Sequence, residues 1–179
     1  MTRYGRFIAI ETLSDDLQKI QRGLQDGLQH ADVVIVTTPS SGDLGVLQQA
    51  RTNENPNWLE RIYGGLADLH DFAECEGGIL SYLEQGRHVI CIGYRHTLGA
   101  MYLPDERQLD WYRTTAMQLP QPDASVVLLP ADVSGAHVRR LQQLAAHEPN
   151  HSTVEFTHNN LQPLIAAVEL LLPAPGGSQ

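Results

Sequence analysis

The fold of this chain is decided by residues 7–21, which read FIAIETLSDDLQKIQ. Residues 6–11 form a β-rich run without polar alternation, which predicts a strand buried on both faces of a parallel sheet. Apolar residues then recur at spacings of three and four, as on one face of a helix: Leu17, Ile20, Leu24 and Leu28. We expect Ser14 to cap that helix, with Asp15 and Asp16 near its positive end. The stretch therefore predicts a strand, a tight turn and a helix.

The turn between this strand and this helix lacks the residues of a phosphate-binding loop. Such a loop needs G-x-x-x-x-G-K-[ST], because its glycines let backbone N–H groups face the phosphates, its lysine binds their charge and its hydroxyl holds magnesium. The turn has no glycine, and Asp15 and Asp16 stand where the anion would lie. Lys19 falls one residue after the lysine position, and one residue turns a helix position by about 100°. The strand, turn and helix of a phosphate-binding loop are therefore predicted, but the residues that bind phosphate are missing.

The composition of the chain is that of one globular domain. It has 179 residues, of which 42% are hydrophobic and 18% are charged. The net charge of −9 disfavours nucleic-acid binding, which needs clustered basic residues. We expect no membrane partner, since no run is long enough to span a bilayer and no signal peptide is recognised. The chain has two cysteines, Cys75 and Cys91, and Cys91 lies in an apolar run that indicates a buried thiol. We therefore expect a reducing, cytoplasmic location.

Strand patterns and helical patterns alternate along the rest of the chain. Further strands are predicted at residues 32–37, 88–92, 123–129 and 153–156. Helical patterns cover residues 57–85, 109–117, 132–147 and 161–172, with glycine pairs at 64–65 and 77–78 inside the first. This alternation predicts an α/β fold with a five-stranded parallel sheet flanked by helices. We expect a single domain over residues 1–172 and a flexible tail over 173–179.

Four segments in order resemble motifs of one enzyme family. Residues 7–11, FIAIE, are similar to F-I-x-x-E, and residues 38–45, TPSSGDLG, to E-P-G-G-T-P-L-G. Residues 83–94, LEQGRHVICIGY, are similar to L-x-x-G-x-x-V-I-C-D-R-Y, and Trp111 begins a segment similar to W-x(n)-P-x-P-D. These are motifs of the thymidylate kinases, which the chain resembles from residue 6 to residue 172. The resemblance implies a three-layer P-loop-NTPase-like fold and a homodimer packed through helices, including the long one.

The chain departs from this family at the positions that carry its chemistry. The phosphate-loop glycines are replaced by Thr12, Asp15 and Leu17, and D-R-Y becomes Ile92-Gly93-Tyr94. The family's substrate-phosphate arginine falls near Asp71 and Phe72, neither of which is basic. Losing one preorganised donor typically costs about 3–4 kcal/mol of catalysis. We therefore expect a degenerate member of the family with no catalytic residue and no cofactor.

Two other clusters match metal-site spacings. Residues 147–151, HEPNH, match H-E-x-x-H, but zinc binding needs both histidines on one helical turn, and Pro149 and Asn150 indicate a helix end. His70, Asp71 and Glu74 are explained more simply as a solvated helix face. We expect no metal site.

The sequence leaves three functions open. The first is a pseudo-enzyme that acts as a binding or assembly partner. The alternatives are a nucleoside- or nucleotide-binding protein and a nucleotide kinase with a rebuilt phosphate site. Any remnant pocket is expected at the carboxyl ends of the first three strands, from the candidate residues Thr12, Lys19, Pro39, Asp71, Phe72 and Tyr94. Because acidic residues replace the phosphate-binding groups, its ligand is expected to be neutral or cationic and nucleoside-like.

Overall fold

The fold is built on a five-stranded parallel sheet, in a computed structural model that describes residues 5–28, 32–51, 54–130, 134–148, 150–156 and 160–173. The strands are β1 (Phe7–Thr12), β2 (Val33–Thr37), β3 (His88–Ile92), β4 (Ala124–Pro130) and β5 (His151–Phe156). Their order across the sheet is β2-β3-β1-β4-β5, and every pairing is parallel. The predicted α/β class and the five-stranded parallel sheet are therefore confirmed.

Helices cover both faces of this sheet and complete three layers. The described residues form α1 (Leu17–Gly27), α2 (Asp43–Arg51), α3 (Trp58–Glu74), α4 (Ile79–Glu84), α5 (Arg95–Tyr102), α6 (Leu109–Ala116), α7 (Ala136–Ala145) and α8 (Gln162–Leu171). One core contains apolar residues of α1 and α8, and the other those of α3 to α7. Among these helices, none is long and apolar enough to cross a membrane.

The central strand β1 is buried on both faces. Phe7 and Ala9 pack into the core on the α3–α7 side, whereas Ile8 and Ile10 pack into the core on the α1–α8 side. All four side chains are at most 1% exposed. A strand covered on both faces has no solvent face to place polar residues on, which explains its unbroken apolar run.

The long helix predicted for residues 57–85 is in fact two helices, so that prediction is wrong. α3 ends at Glu74 and α4 begins at Ile79. Between them Gly77 has a φ of +77°, a left-handed conformation that favours glycine. A Cβ at Gly78 would lie 2.1 Å from the backbone oxygen of Phe72. α3 thus ends before the glycine pair, at the extended Cys75, and the pair makes the turn that leads into α4.

Smaller differences lie at element ends. The α1 helix is capped by Asp16, whose carboxylate accepts from the Lys19 N–H at 3.0 Å, and not by Ser14 as expected. α7 is shorter than the predicted 132–147, of which residues 132–133 lie outside the described part. β5 begins two residues before the predicted start. Of the predicted tail, residues 174–179 also lie outside the described part.

Candidate functional site

One cavity lies at the carboxyl ends of β1 and β3 and the loop after β2. We call it the main cavity for this position on the sheet and not for its size. Its volume is about 220 Å³. Four parts of the chain supply most of its described wall: the β1–α1 loop, the β2–α2 loop, α3 and α5. Its wall includes Thr12, Asp15, Pro39, Asp68, Leu69, Thr97, Leu98, Met101 and Tyr102. This is the ligand side of an open parallel sheet.

Two backbone N–H groups of the β1–α1 loop are bound by the loop's own side chains. The Ser14 N–H donates to Thr12 Oγ1 at 3.1 Å, and the Asp16 N–H donates to Ser14 Oγ at 3.2 Å. The Lys19 N–H, in the first turn of α1, donates to the Asp16 carboxylate. In a phosphate loop, N–H groups in this region face the anion. Here a carboxylate occupies the positive end of α1.

A second carboxylate, Glu11, occupies the positive end of α5. Glu11 is fully buried and accepts from the N–H of His96 at 3.1 Å, the N–H of Thr97 at 2.8 Å and the hydroxyl of Thr97 at 2.7 Å. The same hydroxyl accepts from the Thr12 N–H at 3.0 Å. Glu11 and Thr97 therefore join the end of β1 to the start of α5, under one wall of the main cavity.

A third carboxylate, Asp68, is buried like Glu11, comes from α3 and lines the cavity directly. Its side chain is 1% exposed and accepts from the Ser40 N–H at 2.9 Å and from the Ser40 hydroxyl at 2.5 Å. These two bonds fix the loop after β2 against α3, next to Pro39. Asp68 thus positions the loop and supplies a buried negative charge to the cavity.

The charged groups of the cavity wall are all acidic. Asp15, which is exposed, and Asp68 are its charged residues, and no Lys, Arg or His occurs among the described residues of the wall. The rest of the wall combines hydroxyls with apolar side chains of α3 and α5, namely Leu69, Leu98 and Met101. Such a cavity favours neutral or cationic groups, because an anion inside it meets two carboxylates and no counter-charge.

The structure brings only part of the predicted pocket together. Thr12 and Pro39 line the main cavity. Lys19 lies on the exposed face of α1, in a separate depression beside α8. Asp71 is exposed on α3, one turn beyond Asp68. In their place, Asp15 and Asp68 supply the charges of the wall.

The two predicted aromatic residues pack into the core rather than line this cavity. Tyr94 is fully buried, with its ring 5.1 Å from that of Phe7 in a T-shaped contact and its hydroxyl donating to the Pro120 carbonyl at 2.9 Å. Burial, the largest cause, raises the pKa of Tyr94 far above its usual value. Phe72 is partly buried and packs against the same core.

Sequence reasoning missed Asp68 and the contribution of α5. A signal for Asp68 was present, because it lies three residues after Gly65, which is buried, and four before Phe72, which is partly buried, on one face of α3. A carboxylate on an apolar helix face needs a buried partner or a site. No such signal marked Thr97 or Leu98, since almost every residue of α5 is buried.

The H-E-x-x-H segment does not form a metal site. His147 lies in the turn after α7, and His151 begins β5 with its Nδ1 3.0 Å from the Glu148 carbonyl. The Glu148 carboxylate turns inward to Arg95 and to His96 Nε2. Burial would raise the pKa of Glu148, but the His96 hydrogen bond and the Arg95 charge outweigh it and lower that pKa. Within the described residues, no group of three His, Cys, Asp or Glu is placed to hold a metal.

The comparisons with known proteins agree with this architecture. A five-stranded parallel sheet in this order, with helices on both faces, is the fold of the thymidylate kinases. The thymidylate kinase of Candida albicans superposes with a TM-score of 0.69, at 16% identity over 94% of this chain and 91% of that one. That of Ehrlichia chaffeensis gives 0.68, at 16% identity over 94% and 98%. No family model and no curated protein matches the sequence.

The site analysis predicts that Glu11→Gln destabilises the fold by about 1–3 kcal/mol, the cost of an unsatisfied buried polar group. The glutamine amide group would face two backbone N–H donors and remove the charge from the positive end of α5. Urea unfolding measures the loss as a lower midpoint at unchanged slope. Glu155→Gln, on the exposed side of β5, is the control and should change little. Equal midpoints for the two variants would contradict the role given to Glu11.

Proposed function

We propose that this protein is a thymidylate-kinase-like pseudo-enzyme that binds a neutral or cationic, nucleoside-like ligand in the main cavity. The observation that carries the proposal is the acidic wall of that cavity, together with the occupied N–H groups of the β1–α1 loop. No cofactor is needed for this role. The two free cysteines, Cys75 exposed and Cys91 buried, fit a reducing cytoplasmic setting.

The loss of phosphoryl transfer follows from what that reaction requires. It depends on positioning and on positive charge around the transferred phosphoryl group, supplied by backbone N–H groups, a lysine and a metal. In this chain Asp16 accepts the Lys19 N–H, and the side chain of Lys19 lies outside the main cavity. Asp15 and Asp68 add repulsion to an incoming phosphate. Each missing group typically costs about 3–4 kcal/mol of transition-state stabilisation, and phosphoryl transfer here would have to make up several such losses.

The same wall suits an uncharged or positively charged ring system. Leu69, Leu98 and Met101 offer apolar surface. Asp68 offers a buried acceptor, and the hydroxyls of Thr12 and Thr97 lie at the same wall. Ligand sites typically combine apolar walls with a few convergent polar groups in this way. A base and a sugar present the matching donors without the charge of a phosphate.

The activity prediction is that the protein forms no ADP above a blank without protein, with ATP and magnesium alone or with dTMP added. The reason is the missing cradle for the phosphates. Lys19→Ala should leave this background unchanged, because its side chain lies away from the main cavity. Magnesium-dependent ADP formation that disappears in Lys19→Ala would instead support a kinase with a rebuilt phosphate site.

The binding prediction is that thymidine raises the melting temperature more than dTMP or ATP does. A ligand at a hundredfold excess over its Kd adds about 2.7 kcal/mol of stability. Asp15→Asn and Asp68→Asn should reduce the ratio of the Kd of dTMP to the Kd of thymidine about fivefold. The reason is the loss of roughly 1 kcal/mol of repulsion between the carboxylate and the phosphate. Asp71→Asn, on the exposed surface of α3, is the matched control. A larger shift with ATP than with thymidine would refute the acidic-pocket proposal.

A second candidate role, assembly through helices, is favoured by an exposed apolar surface on α2 and α3. Val46, Leu47, Leu59 and Tyr63 are between 39% and 57% exposed. The apolar residues farther along α3 are not available in the same way, since Leu69 is 2% exposed and lies in the core, while Leu66 and Phe72 pack against it. We infer that a homodimer would use the exposed set, since exposed apolar patches mark interaction surfaces.

The assembly prediction is a dimer by light scattering at micromolar concentration. Leu47→Glu should shift it toward monomer by placing a charge in the contact. Leu170→Glu, at an 87% exposed position on α8, is the control on the opposite face of the sheet and should leave the mass unchanged. A monomeric wild-type protein would refute the homodimer.

A further inference from the structure

A second cavity of about 230 Å³ lies between the start of α5, α6 and the turn after α7. Its described wall shares no residue with that of the main cavity. Tyr112, Ala116 and Leu144 give it an apolar part. Its polar part consists of two arginines, two histidines, one glutamine and one glutamate: Arg95, His96, Arg113, Gln121, His147 and Glu148.

Two of these polar side chains are buried charged or titratable groups. The side chains of Arg95 and His96 are 5% and 7% exposed. Arg95 donates to Gln121 Oε1 at 2.5 Å and to the Glu148 carboxylate, and His96 Nε2 lies 2.9 Å from the same carboxylate. A guanidinium is placed so deeply only where several groups hold it.

The hydrogen bonding around this cavity is incomplete. Five buried side-chain polar atoms in the described residues have no partner, and three of them belong to its wall: Arg95 Nε, His96 Nδ1 and Arg113 Nε. Each unsatisfied buried polar group is costly, and such groups in native structures call for an ordered water, an ion or a ligand. All three belong to residues of one cavity wall, and because the atoms themselves have no surface open to the cavity, a water or ligand reaches them only when these side chains shift.

The charge of the wall of the second cavity indicates which kind of ligand it favours. Arg95 and Arg113 bring two fixed positive charges, against the single carboxylate of Glu148. Arg113 also pairs with Asp110 at 2.8 Å, but the Asp110 side chain is 96% exposed, so water screens its charge. The wall is therefore positive, in a chain whose net charge is −9.

We propose that the second cavity binds a small organic oxyanion, a short carboxylate or a small phosphate monoester, held by Arg95 and Arg113. Guanidinium groups match the oxygens of both anions. The apolar wall around Ala116 and Leu144 receives the carbon part of the ligand. The proposal does not depend on the ligand of the main cavity.

The arginine Nε–H resonances of the ¹⁵N-labelled protein test the proposal at the atoms concerned. Acetate, succinate, inorganic phosphate and glycerol phosphate are titrated at constant ionic strength, with chloride as the balancing anion. The Arg95 and Arg113 signals are expected to move and saturate with at least one oxyanion. The anion that saturates at the lowest concentration identifies the carboxylate or the phosphate as the ligand group. Shifts no larger than those in chloride would mean that water fills the cavity, and would overturn the proposal.

Matched variants separate a site from general charge attraction. Arg113→Gln should weaken binding about tenfold, the effect of losing a charged hydrogen bond. Arg139→Gln removes a charge from the exposed surface of α7 and should leave binding unchanged. Ala116→Leu keeps every charge and fills the apolar part, so it should also abolish saturation. Equal weakening in Arg113→Gln and Arg139→Gln, or full binding in a folded Ala116→Leu, would overturn the proposal.

Discussion

The buried Glu11 carboxylate at the start of α5 is the interaction on which both cavities depend. It joins the end of the central strand to the start of α5 through the backbone N–H groups of His96 and Thr97, which lie 85 and 86 residues later in the chain. From that fixed start, α5 sends Arg95 and His96 to the second cavity and Thr97 and Leu98 to the main one. A carboxylate at a helix N-terminus is favourable there because of the helix dipole and the unpaired N–H groups.

The layers of the fold were predictable because each depends on local patterns. β1 and β3 read as unbroken apolar runs, and buried parallel strands have that composition. The break between α3 and α4 was not predictable from the helical spacing, since Ile79 and Leu83 continue the apolar pattern across it. α3 ends where Cys75 turns extended, before Gly77 makes its left-handed turn, and a glycine pair in sequence also fits close packing within one helix.

The site was predictable only where strand ends alone decide it. Thr12 and Pro39 follow from the ends of β1 and β2, and both line the main cavity. Tyr94 also follows a strand end, but an aromatic side chain gains more from the core beside Phe7 than from a wetted wall. For α3, a difference of three residues decides between the cavity wall at Asp68 and the surface at Asp71. Which turn of a helix reaches the cavity is decided by tertiary packing, and the motif alignment contains no information on that packing.

The chain supplies its own carboxylates at places that would otherwise attract an anion. Asp16 occupies the start of α1, Glu11 the start of α5, and Glu148 lies between Arg95 and His96. An internal carboxylate loses no translational entropy, whereas a bound phosphate does. Restoring a phosphate site therefore requires removing a stabilising group as well as adding a lysine. Only at the second cavity is the replacement incomplete, because Glu148 pairs with Arg95 but not with Arg113, whose acidic partner Asp110 is exposed.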